Sequence, residues 1–301
     1  MPLDSTKPDD SNSTRVCVDA HHHLWEYDEI QYDWISPEMP ELRRDFLPSD
    51  LKLRMEEAGV DGAVTVQARQ TIEETEWLLK LAEQHSFLYG VVGWAPIAED
   101  SFPALLERFG HEPKLLGLRH VVQAEPAGFL DAPAFNRGIE RLRTYGLVYD
   151  ILIFQNQLEE AIRFVDRHPN QQFIVDHAAK PRIAAREVEP WGANLRELAK
   201  RPNVVCKVSG LITEGDWKFW SRETLAPYLD TCLEAFGADR LMAGSDWPVC
   251  LLATDYKRWW SFLREYFAAL GDAEQQSLFA GTCCRTYKIP MPRLSIQGKA
   301  I

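Results

Sequence analysis

Eight short runs rich in Val, Ile and Leu recur along the chain, at positions 16–23, 60–67, 88–96, 115–122, 147–154, 172–180, 203–210 and 240–248. Between them lie stretches such as "IEETEWLLKLAEQH" and "LEEAIRFVDRHP", with apolar residues three and four apart and charges on the other face. The second pattern predicts amphipathic helices. The first predicts strands buried on both faces, as parallel sheets require. Eight alternations of strand and helix predict a single-domain, somewhat distorted (β/α)8 TIM barrel, α/β in class, over residues 16–290. An open doubly wound sheet has the same alternation, but no GxGxxG or P-loop supports it.

Two stretches depart from the repeat. Residues 24–50, "LWEYDEIQYDWISPEMPELRRDFLPSD", are long for a strand-to-helix loop and too aromatic for a disordered one. The loop is expected to fold over the barrel mouth. Residues 1–15 are polar and predict a disordered tail, and residues 291–301 a second tail along the outside.

Composition narrows the function. About half the residues are apolar (46%), enough for a large core. A formal charge of −12 argues against nucleic acid or an anionic membrane surface as partner. No run approaches the roughly 18 apolar residues of a membrane span, and the N-terminus lacks a signal-peptide core. The six cysteines include no CxxC pair, which fits free thiols in a reducing cytoplasm. A homodimer is the assembly compact barrels often adopt.

Barrel enzymes carry their chemistry at the carboxyl ends of strands. There the first run ends in His21-His22-His23, the fourth carries Arg119-His120, and the sixth ends in Asp176-His177. The seventh contains Lys207 and the eighth ends in Ser245-Asp246-Trp247-Pro248. Side chains alternate along a strand, so His21 and His23 share a face and His22 points away. Two neutral imidazoles placed this way can reach one divalent ion. Each residue alone has a plainer reading: a packed histidine, a helix-capping Asp, a structural arginine. Their joint fall at the catalytic ends of different strands is what points to a site.

The segments "DAHHHLW", "GLRHVVQAEP", "FIVDHAAKP", "NVVCKVSGL" and "RLMAGSDWPV" together resemble the amidohydrolase superfamily, and within it the sugar-lactonase group. They run in the family's order from residue 16 to about residue 250, with Ala179 standing where the family motif usually has Gly. The resemblance implies His21, His23, His177 and Asp246 as ligands of one divalent metal, zinc or similar. Relatives that work without metal leave a metal-free pocket of His21, His23, His177 and Arg119 as the other version. No strand-four lysine is present to bridge two metals. In both versions Asp246 moves the proton, with Arg119, His120 or His177 stabilising the oxyanion. The implied substrate is a sugar lactone such as that of L-fuconate or L-rhamnonate. Trp25, Trp34 and Trp247 would stack on the sugar, and Lys180, Lys207 and Gln155 would meet its polar groups. The alternatives are hydrolysis or decarboxylation of a pyrone or muconolactone carboxylate, and an inactive sugar-acid-binding barrel. A pyrone dianion calls for more arginines than Arg119. A dead copy should have lost Asp246 or one histidine of the pair.

Overall fold

The computed structural model describes residues 15–291. The expected tails, 1–15 and 291–301, thus fall outside the described residues except for Arg15 and Met291.

Each apolar run forms a strand: β1 Val18–His22, β2 Gly62–Val66, β3 Leu88–Gly93, β4 Leu115–Val121, β5 Val148–Leu152, β6 Phe173–Val175, β7 Val204–Val208 and β8 Leu241–Ala243. They pair in sequence order, all parallel, in one eight-stranded sheet. Helices separate them: α1 Pro48–Ala58, α2 Ile72–Gln84, α3 Phe102–Phe109, α4 Pro133–Leu142, α5 Leu158–Arg167, α6 Trp191–Leu198 and α7 Arg222–Phe236. After β8 come α8 Tyr256–Tyr266, α9 Asp272–Gln276 and α10 Thr282–Tyr287. Consecutive parallel strands need a crossover connection, and a helix is the usual one. The result is the TIM barrel that the alternation predicts.

The helices start and stop where local chemistry says they should. Thr71 caps α2 by accepting the Glu74 N–H at 3.2 Å, and the helix buries Thr75, Leu78, Leu79 and Ala82 on one stripe. Gly59 ends α1 in the left-handed region at φ 63°, where a side chain would be strained. Removing such a cap costs about 1 kcal/mol.

The core has two parts. One lies between strands and helices; the other lies inside the barrel, where Val18, Ala20, Val64, Val66, Val148 and Val205 meet α10 through Cys283 and Tyr287. This last helix closes the amino-terminal end of the barrel. Arg285 within it and Lys288 just after it donate to carbonyls just ahead of strands, Arg285 to Asp239 at 3.0 Å and Lys288 to Gly146 at 3.4 Å.

The barrel closes between β1 and β8. His23 N–H donates to the Trp247 carbonyl at 2.6 Å and Asp246 N–H to the His21 carbonyl at 2.8 Å. Asp19, fully buried, is the clamp: its carboxylate accepts from Ser245 N–H at 2.8 Å, Ser245 Oγ at 2.5 Å and Tyr256 Oη at 3.0 Å. The long loop after β1 packs down as expected, adding Trp25, Tyr32, Ile35, Leu42 and Phe46 to the core between strands and helices. All six cysteines are buried free thiols. No helix among the described residues is long and apolar enough to cross a membrane.

Candidate active site

A cavity of about 680 Å³ opens at the carboxyl ends of the strands. On its floor, three imidazole Nε2 atoms surround one carboxylate oxygen. Asp246 Oδ1 lies 3.6 Å from His21, 3.3 Å from His23 and 3.9 Å from His177. All four residues are at least nine-tenths buried.

Local backbone irregularities build this cluster. Val18 and Ala20 face the inner core, and strict alternation from them would aim His22 inward. The register with β2 shifts between Asp19 and His22, which turns His21 and His23 into the site instead. His22 is buried on the other side, its Nε2 3.0 Å from Thr65 Oγ1. At the end of β6 four consecutive residues, His177, Ala178, Ala179 and Lys180, have φ between 48° and 59°. This left-handed turn aims both His177 and Lys180 into the cavity. Asp246 also has positive φ, 56°. Such backbone costs of order 1–3 kcal/mol per residue and persists where surrounding packing over-determines it. Here the packing is complete: Ala178 and Ala179 are fully buried, and Trp191 Nε1 donates to the Ala178 carbonyl at 2.7 Å.

The donor set fits a divalent cation. His23 Nδ1 lies 2.8 Å from the Val66 carbonyl, which only accepts, so Nδ1 carries the proton and Nε2 turns a lone pair to the site. That lone pair faces His21 Nε2 at 3.2 Å as well as the Asp246 carboxylate. A lone pair facing a carboxylate oxygen at 3.3 Å is an arrangement that a cation between them satisfies. Burial pushes His177 down to about 4 and His21 well below the usual histidine range, which keeps both neutral and ready to coordinate. Burial would raise Asp246, but His177, His23 and His21 outweigh it and hold the carboxylate ionised. The groups His21–His23–Asp246 and His21–Asp176–His177 each converge tightly enough to hold an ion.

Beneath the floor lies a buried ionic layer. Arg119 donates from Nη1 to Asp176 at 2.9 Å and from Nη2 to the Gln67 carbonyl at 2.5 Å. Lys207 Nζ sits 2.5 Å from Asp150, 3.0 Å from Asp176 and 3.2 Å from His21 Nδ1. Burial would neutralise Lys207, but Asp150 and Asp176 more than compensate and keep it charged. Tyr287 Oη, from α10, donates to Asp150 at 2.9 Å.

The structure brings together His21, His23, His177, Asp246 and Arg119, with Lys180 and Trp34 on the cavity wall. Other expected site residues lie elsewhere. His120 faces the opposite side of β4, with Nε2 2.8 Å from Glu125 and its ring stacked on Phe129. Adjacent strand residues cannot share a face, so Arg119 entering the barrel sends His120 out. Trp25 is fully buried in the core, its indole donating to the Arg44 carbonyl, and Trp247 packs edge-on against Phe46. Both fasten the loop and do not line the cavity. Lys207 is under the floor, out of reach of a sugar. Gln155 opens a short helical turn after β5 and is not among the lining residues.

Several residues of the site stand outside the sequence expectations. Asp19 and Asp176 were visible in the strand-end motifs, but their work, clamping and charge balance, shows only once partners are placed. Arg69, Gln70, Gln31 and Asp33 line the cavity from loops. No periodicity marks such positions.

The amidohydrolase family model matches residues 18–289. An L-fucono-1,5-lactonase of Burkholderia multivorans is 39% identical over 289 residues, spanning 91% of this chain and 97% of that protein. An L-fucono-1,5-lactonase of Burkholderia ambifaria is 34% identical over 281 residues, 91% of this chain and 96% of that one. The crystal structure of an amidohydrolase from Burkholderia multivorans with bound zinc superposes with a TM-score of 0.88 at 38% identity. It spans 91% of this chain and all of that one.

Proposed function

This chain belongs to the amidohydrolase family, and on that premise we propose that it opens a sugar 1,5-lactone of the L-fucono type, with Asp246 moving the proton. It is a hydrolase acting on a cyclic ester, a sugar lactone. The pyrone, muconolactone and inactive-barrel alternatives are not favoured by relatives of this identity and coverage. The observation that carries the reading is the convergence of three Nε2 atoms on one ionised carboxylate at the cavity floor.

His21, His23, His177 and Asp246 would hold one divalent ion, zinc being the choice that imidazole and carboxylate donors and the zinc-bound relative support. Such an ion supplies Lewis acidity and makes water a stronger acid near neutrality. The protein's own groups do the rest. Asp246, ionised and lining the cavity, accepts the proton of the attacking water. The water oxygen bonds to the lactone carbonyl carbon, and the developing oxyanion meets the positive field of Arg119. The bond from that carbon to the ring oxygen then breaks. Asp246 returns its proton to this oxygen, leaving a hydroxyl at one end of the open chain and a carboxylic acid, ionised at neutral pH, at the other. Trp34 offers an apolar face to the ring and Lys180 a donor to a hydroxyl.

Acid release over a panel of sugar lactones, followed with a pH indicator, tests the reaction. Turnover of L-fucono-1,5-lactone is expected; hydrolysis of no sugar lactone would overturn the reading. Asp246→Asn should lower kcat by a factor of order 10³ or more while the protein still folds, as loss of a proton-transfer group does. Retained turnover would remove Asp246 from its role.

A further inference from the structure

The cavity has two unlike walls. On the side of β4, β5 and β8 the lining includes the apolar Val121, Ala124, Leu152 and Val249 beside the catalytic polar groups Arg119 and Asp246. On the side of β1 and β2 it is polar, and Arg69 is the cation among the lining residues of that wall. Arg69 is no loose surface arginine. It sits on the turn between β2 and α2, where Glu74 reaches back from the first helical turn. Glu74 Oε2 accepts the backbone N–H groups of Ala68 at 3.0 Å and Arg69 at 2.7 Å. Its Oε1 lies 3.7 Å from Arg69 Nε and accepts from Tyr32 Oη at 3.4 Å. The Arg69 guanidinium lies over the Tyr32 ring, 5.0 Å from its centroid, and donates to the Gln31 side chain. A buried carboxylate, a buried tyrosine and the long loop therefore fix one guanidinium at the cavity edge. Glu74 is fully buried and Tyr32 nearly so, so this brace is part of the packed structure.

A planar, always-charged fork held in place can donate two hydrogen bonds to vicinal hydroxyls at little further entropic cost. Nothing in the acyl chemistry at Asp246 requires it. We propose that Arg69 is a specificity-determining residue that binds the hydroxyls of the lactone ring, with Glu74 and Tyr32 as its positioning residues. The inference rests on the sugar-lactone reading above and adds to it which wall reads the hydroxyls. Vicinal hydroxyls on one edge of the substrate face Arg69 on the β1–β2 side, and the C–H surface of the ring faces Trp34, Val121 and Leu152. A lactone without hydroxyls gains nothing from Arg69.

The test compares L-fucono-1,5-lactone with δ-valerolactone, which has the same ring and no hydroxyls, followed as substrate or as competitive inhibitor. Arg69→Gln is expected to raise KM for the sugar lactone about tenfold or more while kcat stays within about threefold. KM or Ki for δ-valerolactone should stay within about twofold. Arg69→Lys should recover part of the lost affinity, since one donor and the charge remain. Tyr32→Phe keeps the ring and loses the bond to Glu74; it should raise KM in the same direction by a smaller factor. Equal losses on both lactones, or no loss on the sugar lactone, would overturn the role given to Arg69 and leave the lactonase reading standing. A wild-type protein that turns over no sugar lactone would overturn that reading, and this inference with it.

Discussion

Glu74 shows what a single side chain contributes here beyond chemistry. Burial pushes its carboxyl up to about 7, although Arg69 and two backbone N–H groups pull the other way. In the unfolded chain it titrates near 4.5. The native state therefore holds this proton more tightly than the unfolded state between those values. Stability contributed at this position is fully present below about pH 4.5 and is lost as pH rises toward 7. Glu74→Gln keeps an acceptor and removes the titration. Relative to that variant, the wild type should lose of order 3 kcal/mol between those limits, read as the difference in melting temperature across a pH series. Parallel curves for the two proteins would show that Glu74 does not titrate in this range. His23 is a second residue whose meaning depends on a neighbour. The Val66 carbonyl decides which ring nitrogen is free, and no motif contains that information.

At the scale of elements, the site depends on places where regular structure breaks. The register shift in β1, the left-handed turn after β6 and the positive φ of Asp246 each turn a side chain that ideal geometry would aim elsewhere. Gly210, just after β7, completes the set. Its φ is +64°, and a Cβ there would collide with the His177 ring and lie 3.0 Å from Asp246 Oδ2. Gly210→Ala should cost about 1–3 kcal/mol of stability and displace His177, so that turnover falls more than folding does. Denaturant melts and kcat measured side by side check this; a folded variant with full activity would refute it. The eight strands were legible because burial on both faces leaves near-continuous apolar runs. The His-x-His pair was legible too, through alternation, although the observed facing needs a bulge that the sequence does not announce. The same alternation separates Arg119 from His120, and only strand register tells which one enters the barrel. Lys207 departs from its expected role for a related reason. A lysine in an apolar strand suggests a substrate contact, whereas Asp150 and Asp176, from two other strands, hold it beneath the floor.

For the whole molecule, the donor set makes a compositional prediction. Protein purified without chelator should contain about one equivalent of zinc or a similar ion by elemental analysis. Chelation should slow turnover and lower the melting temperature, with zinc restoring both. An active protein free of metal would instead have the histidines and Arg119 polarise the carbonyl, with Asp246 still moving the proton. The barrel also decides when this chemistry becomes available. His21 and His23 lie at the end of the first strand and Asp246 just after the last. The clamp that joins their strands, Asp19 with Ser245, spans 226 residues. During synthesis the two histidines emerge early, without a carboxylate opposite them and without β8 to close the sheet. A ribosome must release nearly the entire barrel before its first and last strands can meet. Incomplete chains therefore lack the site, because Asp246 meets the imidazoles of His21 and His23 only once the seam between β1 and β8 has closed.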